Sequence, residues 1–209
     1  MVTAAFIAEP IYLRASCAMA GVIARTDRER GVWKAPANVA LIGVEGLASI
    51  DSTNNKVSPI RIDDAINYQL VKDKINPIRE FRGKGFLAWG ARTAEDPIRP
   101  DWLYISVRRL FNTVERDLSQ ALRITAFEPN NAITWERIRS AIDIYLDGLW
   151  RKGALLGSAP QEAYFVRIGQ GVTMTETDIK QGKLIVKIGM AAVRPAEFIE
   201  LQFTQDMVS

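Results

Sequence analysis

Two long stretches of the chain repeat apolar residues with the spacing of an amphipathic helix. In both stretches the apolar positions recur three or four residues apart, so they fall on one side of a helix with about 3.6 residues per turn. The first set is Val107, Leu110, Phe111, Val114, Leu118, Ala121 and Leu122, and the second is Ile138, Ala141, Ile142, Tyr145, Leu146 and Leu149. Because an apolar stripe must be covered, we predict that these two helices form the core of a globular body.

The residues between the two stripes indicate where one helix ends and the next begins. Residues 128–131 read Glu-Pro-Asn-Asn, a sequence that breaks a helix. Thr134 and Glu136 then form a typical N-terminal start for the second helix, and Gly153 is placed to end it. We therefore predict two separate helices with a turn between them.

The rest of the chain favours short strands, turns and shorter helices. Helical patterns cover residues 16–30, which Gly31 stops, and residues 63–71, whose first turn is acidic. The polar residues 49–58 are predicted to form a surface loop. We predict strands at residues 39–44, 78–81, 86–91, 163–168, 183–193 and 197–204. These elements define an α+β fold, with small mixed β-sheets packed against two long amphipathic helices.

The chain contains no histidine and a single cysteine, Cys17. Without histidine, the commonest general base and the commonest metal ligand are both missing. A lone cysteine cannot form an intrachain disulfide, and we expect Cys17 to be a small buried residue of the helix at residues 16–30. The sequence therefore predicts no catalytic site, no cofactor-binding site and no metal site.

Charge and hydropathy argue against two further classes of partner. The chain has 27 basic and 24 acidic residues, a net charge of +3. An excess this small, scattered along the sequence, does not predict nucleic-acid binding. The longest uncharged apolar stretches, such as residues 39–44, fall far short of the ~20 residues that a membrane-spanning helix needs. We expect no nucleic-acid partner and no direct membrane binding.

Three motifs invite a catalytic interpretation, and each has a simpler one. A phosphate-binding loop needs Gly, four residues and then Gly-Lys followed by Ser or Thr, whereas residues 83–85 read only Gly-Lys-Gly and favour a hairpin turn. Residues 169–171, Gly-Gln-Gly, lack the third glycine of a dinucleotide fingerprint and favour a loop. Asp143 and Asp147 lie one helical turn apart, as catalytic carboxylates can, but exposed acidic helix faces are commoner. An enzyme with carboxylate-based chemistry is the less favoured alternative.

Six strings of sequence follow one another in a distinctive order. They are AMAGVIARTDRERGVWKAPAN (residues 18–38), INPIR with WGART (75–79 and 89–93), YISVRRL (104–110), FEPN with TW (127–130 and 134–135), LWRKGAL (149–155) and RPAEFI (194–199). Together they resemble the tail sheath proteins of contractile phages, pyocins and extracellular injection particles. The resemblance covers nearly all of residues 15–205 and corresponds to the C-terminal half of such a protein.

The resemblance implies a structural subunit rather than an enzyme. Sheath subunits form hexameric rings that stack helically around a tail tube, and contraction drives the tube through a target envelope. The implied partners are neighbouring sheath subunits, the tail tube protein and baseplate or terminator proteins. The implied location is a virion tail or injection particle assembled in the bacterial cytoplasm. Family members are usually longer, so we expect residues 1–14 to be a shortened N-terminal extended segment before a globular domain at residues 15–195.

The last residues, 196–209, are predicted to form an arm strand. Ile199, Leu201 and Phe203 share one face of an extended chain, and Glu200 and Gln202 share the other. The resemblance implies that such terminal arms add strands to the sheets of neighbouring subunits. The candidate assembly residues are Phe198, Ile199, Glu200, Leu201, Gln202 and Phe203. A non-contractile oligomeric scaffold protein is the main alternative function.

Overall fold

The computed structural model describes residues 11–95, 98 and 100–197 of the chain. Contacts within the chain group into two compact units. Unit 1 comprises Met1–Gly31 and Pro36–Asp96, and unit 2 comprises Val32–Ala35 and Pro97–Ser209. The boundaries that we expected, with one globular domain at residues 15–195 between two terminal segments, stay a prediction.

The described part of unit 1 contains two helices and two small antiparallel sheets. Its elements are α1 (Ala15–Arg30), β1 (Val39–Ala40), β2 (Ala48–Ile50), β3 (Val57–Pro59), α2 (Asp64–Lys72), β4 (Ile78–Phe81) and β5 (Gly85–Ala88). One sheet has the strand order β1-β5-β4, and the other pairs β2 with β3. The predicted strands at residues 78–81 and 86–91 are confirmed as the β4–β5 hairpin, although β5 ends at Ala88. Gly83 lies in the turn and Gly85 closes it as the first residue of β5, at φ angles of 77° and 71°.

Two predictions within unit 1 do not hold: Cys17 is not buried, and the strand at residues 39–44 is shorter than predicted. Cys17 is exposed, because within the described chain α1 buries only Val22 and Thr26 and leaves its first turn uncovered. The strand predicted at residues 39–44 ends at Ala40, and Ile42 is 85% exposed. Gly43, at a φ of 74°, breaks the extended conformation that a longer strand would need.

The loop predicted at residues 49–58 is instead a β-hairpin, formed by β2 and β3. The side chains of Asp51 and Asn54 accept hydrogen bonds from backbone N–H groups two residues further on, at 2.8 and 2.9 Å. The polar residues therefore build the turn of the hairpin, which explains why the composition alone favoured a loop. The helix predicted at residues 63–71 is confirmed as α2, and the Asp63 carboxylate caps it by accepting a hydrogen bond from the Ile66 N–H at 2.8 Å.

The side chain of Asn76 joins two separated segments of unit 1. Its Nδ2 donates to the Arg92 carbonyl at 2.7 Å, and its Oδ1 accepts from the Arg92 N–H at 2.9 Å. A Cβ atom built on Gly90 would lie 2.6 Å from Asn76 Oδ1 and 2.9 Å from Asn76 Cα. Since no side chain fits at that distance, glycine is required at position 90 for this close approach.

Unit 2 is built on the two predicted long helices, which are confirmed. Its elements are α3 (Ile105–Leu122), α4 (Ala132–Arg151), α5 (Pro160–Ala163), β6 (Tyr164–Ile168), α6 (Glu176–Lys180) and β7 (Val186–Met190), with 3-10 turns at Pro100–Trp102 and Arg123–Thr125. The buried core takes Leu110, Val114 and Leu118 from α3 and Ile138, Ile142 and Leu146 from α4. Ala121 and Ala141, which we assigned to the same stripes, are exposed because they lie at the margins of the buried faces.

The start of α4 differs from the prediction. Asn131 caps the helix, and its Oδ1 accepts a hydrogen bond from the Thr134 N–H at 3.1 Å. Asn131 has the extended backbone of an N-cap, whereas Thr134 lies inside the helix with 6% of its surface exposed. The predicted end is confirmed, because Gly153 follows the helix at a φ of 77°.

Strands β6 and β7 pair antiparallel, with Val166 opposite Ile188. They confirm the strands predicted at residues 163–168 and 183–193, and they complete an α+β fold. One face of the pair packs on the core, where Ile168 is 1% exposed, and β6 lies against α4. Apart from Glu197, the strand predicted at residues 197–204 lies outside the described residues. None of the described helices has the length and apolar composition needed to cross a membrane.

Candidate assembly surface

The sheet of unit 2 has two strands among the described residues, so β6 and β7 each pair along one side only. A two-stranded sheet is marginally stable by itself, and here the helical core supports one face. Residues 154–156 pair with residues 191–193, just past the end of β7. The backbone N–H and C=O groups along the outer edges are the groups to which a further strand can bind.

The outer face of this sheet is covered by a single aromatic side chain. Phe165 lies opposite Gly189, and a Cβ atom on Gly189 would fall 2.2 Å from the Phe165 ring. The Arg167 guanidinium lies 4.9 Å from the centre of the same ring. Because Phe165 occupies the space that a side chain at position 189 would need, the pair fixes the register of β6 and β7.

An apolar hollow of about 390 Å³ adjoins the start of β7. Its apolar lining includes Leu122, Phe127, Leu184 and Val186. Phe127 is fully exposed at a φ of 69°, a left-handed conformation that is uncommon for a bulky residue. Phe127 is the exposed part of this lining, whereas Leu122, Leu184 and Val186 are half-buried and pack against the core cluster.

The side chain of Asn130 forms two hydrogen bonds that hold the turn containing Phe127. Its Nδ2 donates to the Lys183 carbonyl at 2.9 Å, and its Oδ1 accepts from the Trp135 indole N–H at 2.7 Å. These bonds connect the α3–α4 turn to the segment that leads into β7. The hollow is thus bounded by segments that the fold holds in place.

The predicted assembly residues 198–203 lie outside the described residues, but the segment that leads to them is defined. Arg194 Nη2 lies 2.9 Å from Asp101 Oδ1. The Tyr104 hydroxyl donates to Glu197 Oε2 at 3.2 Å. Both contacts attach the chain just before the predicted arm to the residues immediately before α3.

Each of the carboxylates considered for catalysis lies near an arginine of α4. Burial raises the pKa of Asp143, and the Arg139 guanidinium opposes that rise. Asp147 forms an ion pair with Arg151 at 2.6 Å. Within the described part of the chain, no group of three or more His, Cys, Asp and Glu side chains could hold a metal ion.

The remaining candidate motifs have structural roles. Residues 83–85 form the predicted hairpin turn. Residues 169–171 belong to a tight turn in which Thr173 Oγ1 donates to the Ile185 carbonyl at 2.7 Å. The Arg108 guanidinium lies 4.9 Å from the Trp102 ring, and that ring packs edge-on against Phe111 at 5.0 Å. Trp102 therefore packs within its own unit.

Sequence reasoning missed three features of this surface: the exposed Phe127, the Phe165–Gly189 pair and the Arg194–Asp101 contact. The sequence did contain a signal for the Phe165–Gly189 pair, since a glycine inside a strand pattern often marks a close approach of another group. The Arg194–Asp101 contact joins residues 93 positions apart, and the exposure of Phe127 depends on a turn conformation, so periodicity carries no information about either.

An α+β body whose two-stranded sheet has outer edges beside a hollow at β7 presents surfaces of the kind that an assembly subunit uses. The model of the phage tail sheath C-terminal domain family matches residues 99–206. The chain therefore belongs to the phage tail sheath family, as its sequence strings indicated, and this is a structural family rather than a family of enzymes.

Two curated relatives are tail sheath proteins of phages. The chain is 30% identical over 137 residues to the tail sheath protein of Vibrio phage KVP40, which covers 66% of this chain and 19% of the relative. It is 31% identical over 133 residues to the tail sheath protein of Enterobacteria phage T4, which covers 62% of this chain and 18% of the relative. The chain thus spans about a fifth of the length of these relatives.

Solved structures give closer matches over more of the chain. A chain in the 6-fold symmetrised baseplate of the anti-feeding prophage is 52% identical, with a TM-score of 0.83 over 95% of this chain and 52% of that chain. A chain in the contracted sheath complex of PVC, an extracellular contractile injection system, is 52% identical, with a TM-score of 0.79 over 90% of this chain and 50% of that chain. A chain in the contracted helical sheath of the anti-feeding prophage matches equally well in identity and TM-score.

Proposed function

We propose that this chain is part of a contractile tail sheath subunit, which polymerises helically around a tail tube and contracts to drive the tube through a target envelope. The observation that carries the proposal is the 52% identity to a chain of a contracted helical sheath, over 90% of this chain. Because the chain is also similar to a chain of a baseplate structure, the proposal includes a contact with the baseplate. Further partners in the proposal are the tube protein and a terminator protein, and hexameric rings are the stacking unit.

The proposed location follows from the same likeness. The subunit is a component of the sheath of a virion tail or injection particle, assembled in the bacterial cytoplasm. A contact between different surfaces of identical subunits does not close on itself and therefore propagates as a helical polymer. Two packings of the same subunits can differ in free energy, and that difference can drive contraction without nucleotide hydrolysis.

The proposal assigns residues 198–203 to a strand that pairs with the sheet of a neighbouring copy. The outer edges of β6 and β7, which carry no further strand among the described residues, supply backbone groups, and the hollow at Leu122, Leu184 and Val186 supplies apolar surface. The alternating apolar residues Ile199 and Leu201 match such a surface. The chain therefore contains both the proposed arm strand and the proposed surface to which the arm of a neighbouring copy binds.

The energy of one arm is small. Burial of Ile199, Leu201 and Phe203 contributes about 1.5–3 kcal/mol each, and each backbone hydrogen bond adds about 0.5–1.5 kcal/mol. Ordering six residues costs about 6–12 kcal/mol. Gain and cost agree within a few kcal/mol, so a single arm is a weak link and only the repeated lattice is strong.

The experiment compares Leu201→Asp with Glu200→Lys in the protein as it is encoded, with any sequence that precedes or follows this chain. Negative-stain microscopy and sedimentation measure polymers, and urea unfolding measures the stability of the subunit. We expect Leu201→Asp to abolish hollow tubes without changing the urea midpoint, because a carboxylate would be buried in an apolar junction. Glu200→Lys, on the opposite face, is expected to retain tubes.

Two results would contradict the proposal in different ways. Loss of tubes together with a lower urea midpoint for Leu201→Asp would mean that the strand completes the sheet of its own subunit. Closed rings or irregular aggregates of the wild-type protein, in place of hollow helical tubes, would favour a non-contractile scaffold.

A further inference from the structure

The chain leaves β7 along a path that backbone hydrogen bonds define up to Val193. The Leu156 N–H donates to the Ala191 carbonyl at 2.7 Å, and the Val193 N–H donates to the Ala154 carbonyl at 3.2 Å. These bonds bring residues 191–193 against residues 154–156. From Arg194 onward, side-chain contacts take over.

Two side-chain contacts attach residues 194–197 to the segment before α3. The first is the Arg194–Asp101 ion pair at 2.9 Å, and the second is the Tyr104–Glu197 hydrogen bond at 3.2 Å. The contacting residues are three positions apart in each segment. One contact would act as a pivot, whereas two contacts fix the direction of the chain, and Pro195 between them further restricts the backbone.

We propose that these two contacts, which we name the arm-base latch, hold the start of the arm in one direction in the free subunit and so promote its pairing with a neighbouring copy. This inference rests on the proposed exchange of residues 198–203. Fixing a segment before it binds removes part of the entropy that binding would otherwise cost. The latch therefore acts on assembly by orienting the arm, and the arm itself makes the contact with the neighbouring copy.

The exposure of the latch separates this role from a role in folding. The side chains of Arg194 and Asp101 are 49% and 80% exposed. Ion pairs at this exposure contribute little to folding stability, since water and salt screen them. A contact that adds little to the stability of its own unit can still bias where the following residues point.

The test is a charge exchange across the ion pair. Arg194→Asp and Asp101→Arg each place like charges together, and the double variant restores opposite charges. Tyr104→Phe removes the second contact and keeps the ring. Amide order parameters of Arg194, Ala196 and Glu197, obtained by NMR relaxation below the concentration at which polymers form, report the latch in the free subunit. The critical concentration for polymers, measured by sedimentation, reports its effect on assembly.

We expect each single charge reversal to lower the amide order parameters of residues 194–197 and to raise the critical concentration about three- to tenfold, with both restored in the double variant. Tyr104→Phe is expected to act in the same direction, more weakly. Lys180→Glu is the matched control, because its pair with Glu176 at 2.6 Å is equally exposed in the same unit. Urea midpoints should stay unchanged in all variants.

Unchanged order parameters in the single reversals would overturn the latch. Lower order parameters with an unchanged critical concentration would overturn its role in assembly, as would failure of the double variant to restore polymers. Failure of the wild-type protein to form polymers would count against the proposed sheath function instead, and the order parameters would still decide whether the latch exists.

Discussion

Leu146 offers the sharpest test of the core, because its neighbour Ile144 on the same helix supplies a matched control. Leu146 is 0% exposed within α4, and Ile144 is 74% exposed. Replacing either residue with alanine removes a similar apolar volume and keeps a good helix former. Any difference between the two variants therefore measures burial rather than helix propensity.

The magnitude for Leu146→Ala follows from the transfer energy and the cavity. Loss of the buried side chain removes about 0.8 kcal/mol for each methylene, and the cavity left behind raises the total to about 2–5 kcal/mol. The site can collapse little, because the Tyr145 hydroxyl donates to Asp117 at 3.0 Å and ties α4 to α3. We therefore expect the upper half of this range, about 3–5 kcal/mol.

Urea unfolding followed by tryptophan fluorescence measures the effect, since Trp135 and Trp150 pack against the core cluster of unit 2. With m-values of about 1–3 kcal/mol per molar urea, the midpoint for Leu146→Ala should fall by at least about 1 M. Ile144→Ala should stay within about 0.5 kcal/mol of the wild type. A loss below about 0.5 kcal/mol for Leu146→Ala, or equal losses for both variants, would refute the assignment of the buried face.

Three further changes test local features. Gly90→Ala should destabilise unit 1 by about 1–3 kcal/mol in urea unfolding, because the new Cβ would meet Asn76 at 2.6 Å; an unchanged midpoint would contradict the close approach. Asn131→Ala should cost about 0.5–2 kcal/mol through loss of the cap of α4, and Asn131→Asp should retain most of the stability. Burial is the main cause, and the hydrogen bond to Asp117 the second, that raises the pKa of Tyr145 from 10.0 to about 12. The protonated Tyr145 hydroxyl therefore stabilises the fold fully below pH 10, and this stabilisation is lost between pH 10 and 12. Tyr145→Phe should reduce this alkaline loss in unfolding curves, and an unchanged loss would refute the linkage.

The long helices could be predicted from the sequence because their signal is local and repeated over many turns. Seven positions in one stripe and six in the other agree on one face, and a few marginal residues such as Ala141 do not change the result. The helix start at Asn131 was missed because two residue types compete for a cap within four positions, and the backbone conformation decides between them.

The failures in unit 1 share a physical cause. Cys17 and Ile42 are small or apolar residues whose neighbours in the sequence are mostly apolar as well, yet both are exposed. A pattern states which residues can be buried, whereas burial also requires a second surface that covers them. The same limit applies to the assembly surface, where alternation predicts the arm but cannot identify the hollow beside β7 or the residues that hold the arm base.

The two classes of contact in unit 2 differ in strength, and this difference has a functional consequence. A buried core residue such as Leu146 is worth about 3–5 kcal/mol to folding, whereas an exposed pair such as Arg194–Asp101 is worth about 0.2–1 kcal/mol. If residues 198–203 are exchanged as proposed, the body of the subunit can stay intact while the arm contacts form and break. Variants of the core should therefore lose folding and assembly together. Variants of the arm and its base should lose assembly alone. The free energy of one such contact is small, and it becomes large only when every subunit of the lattice repeats the contact.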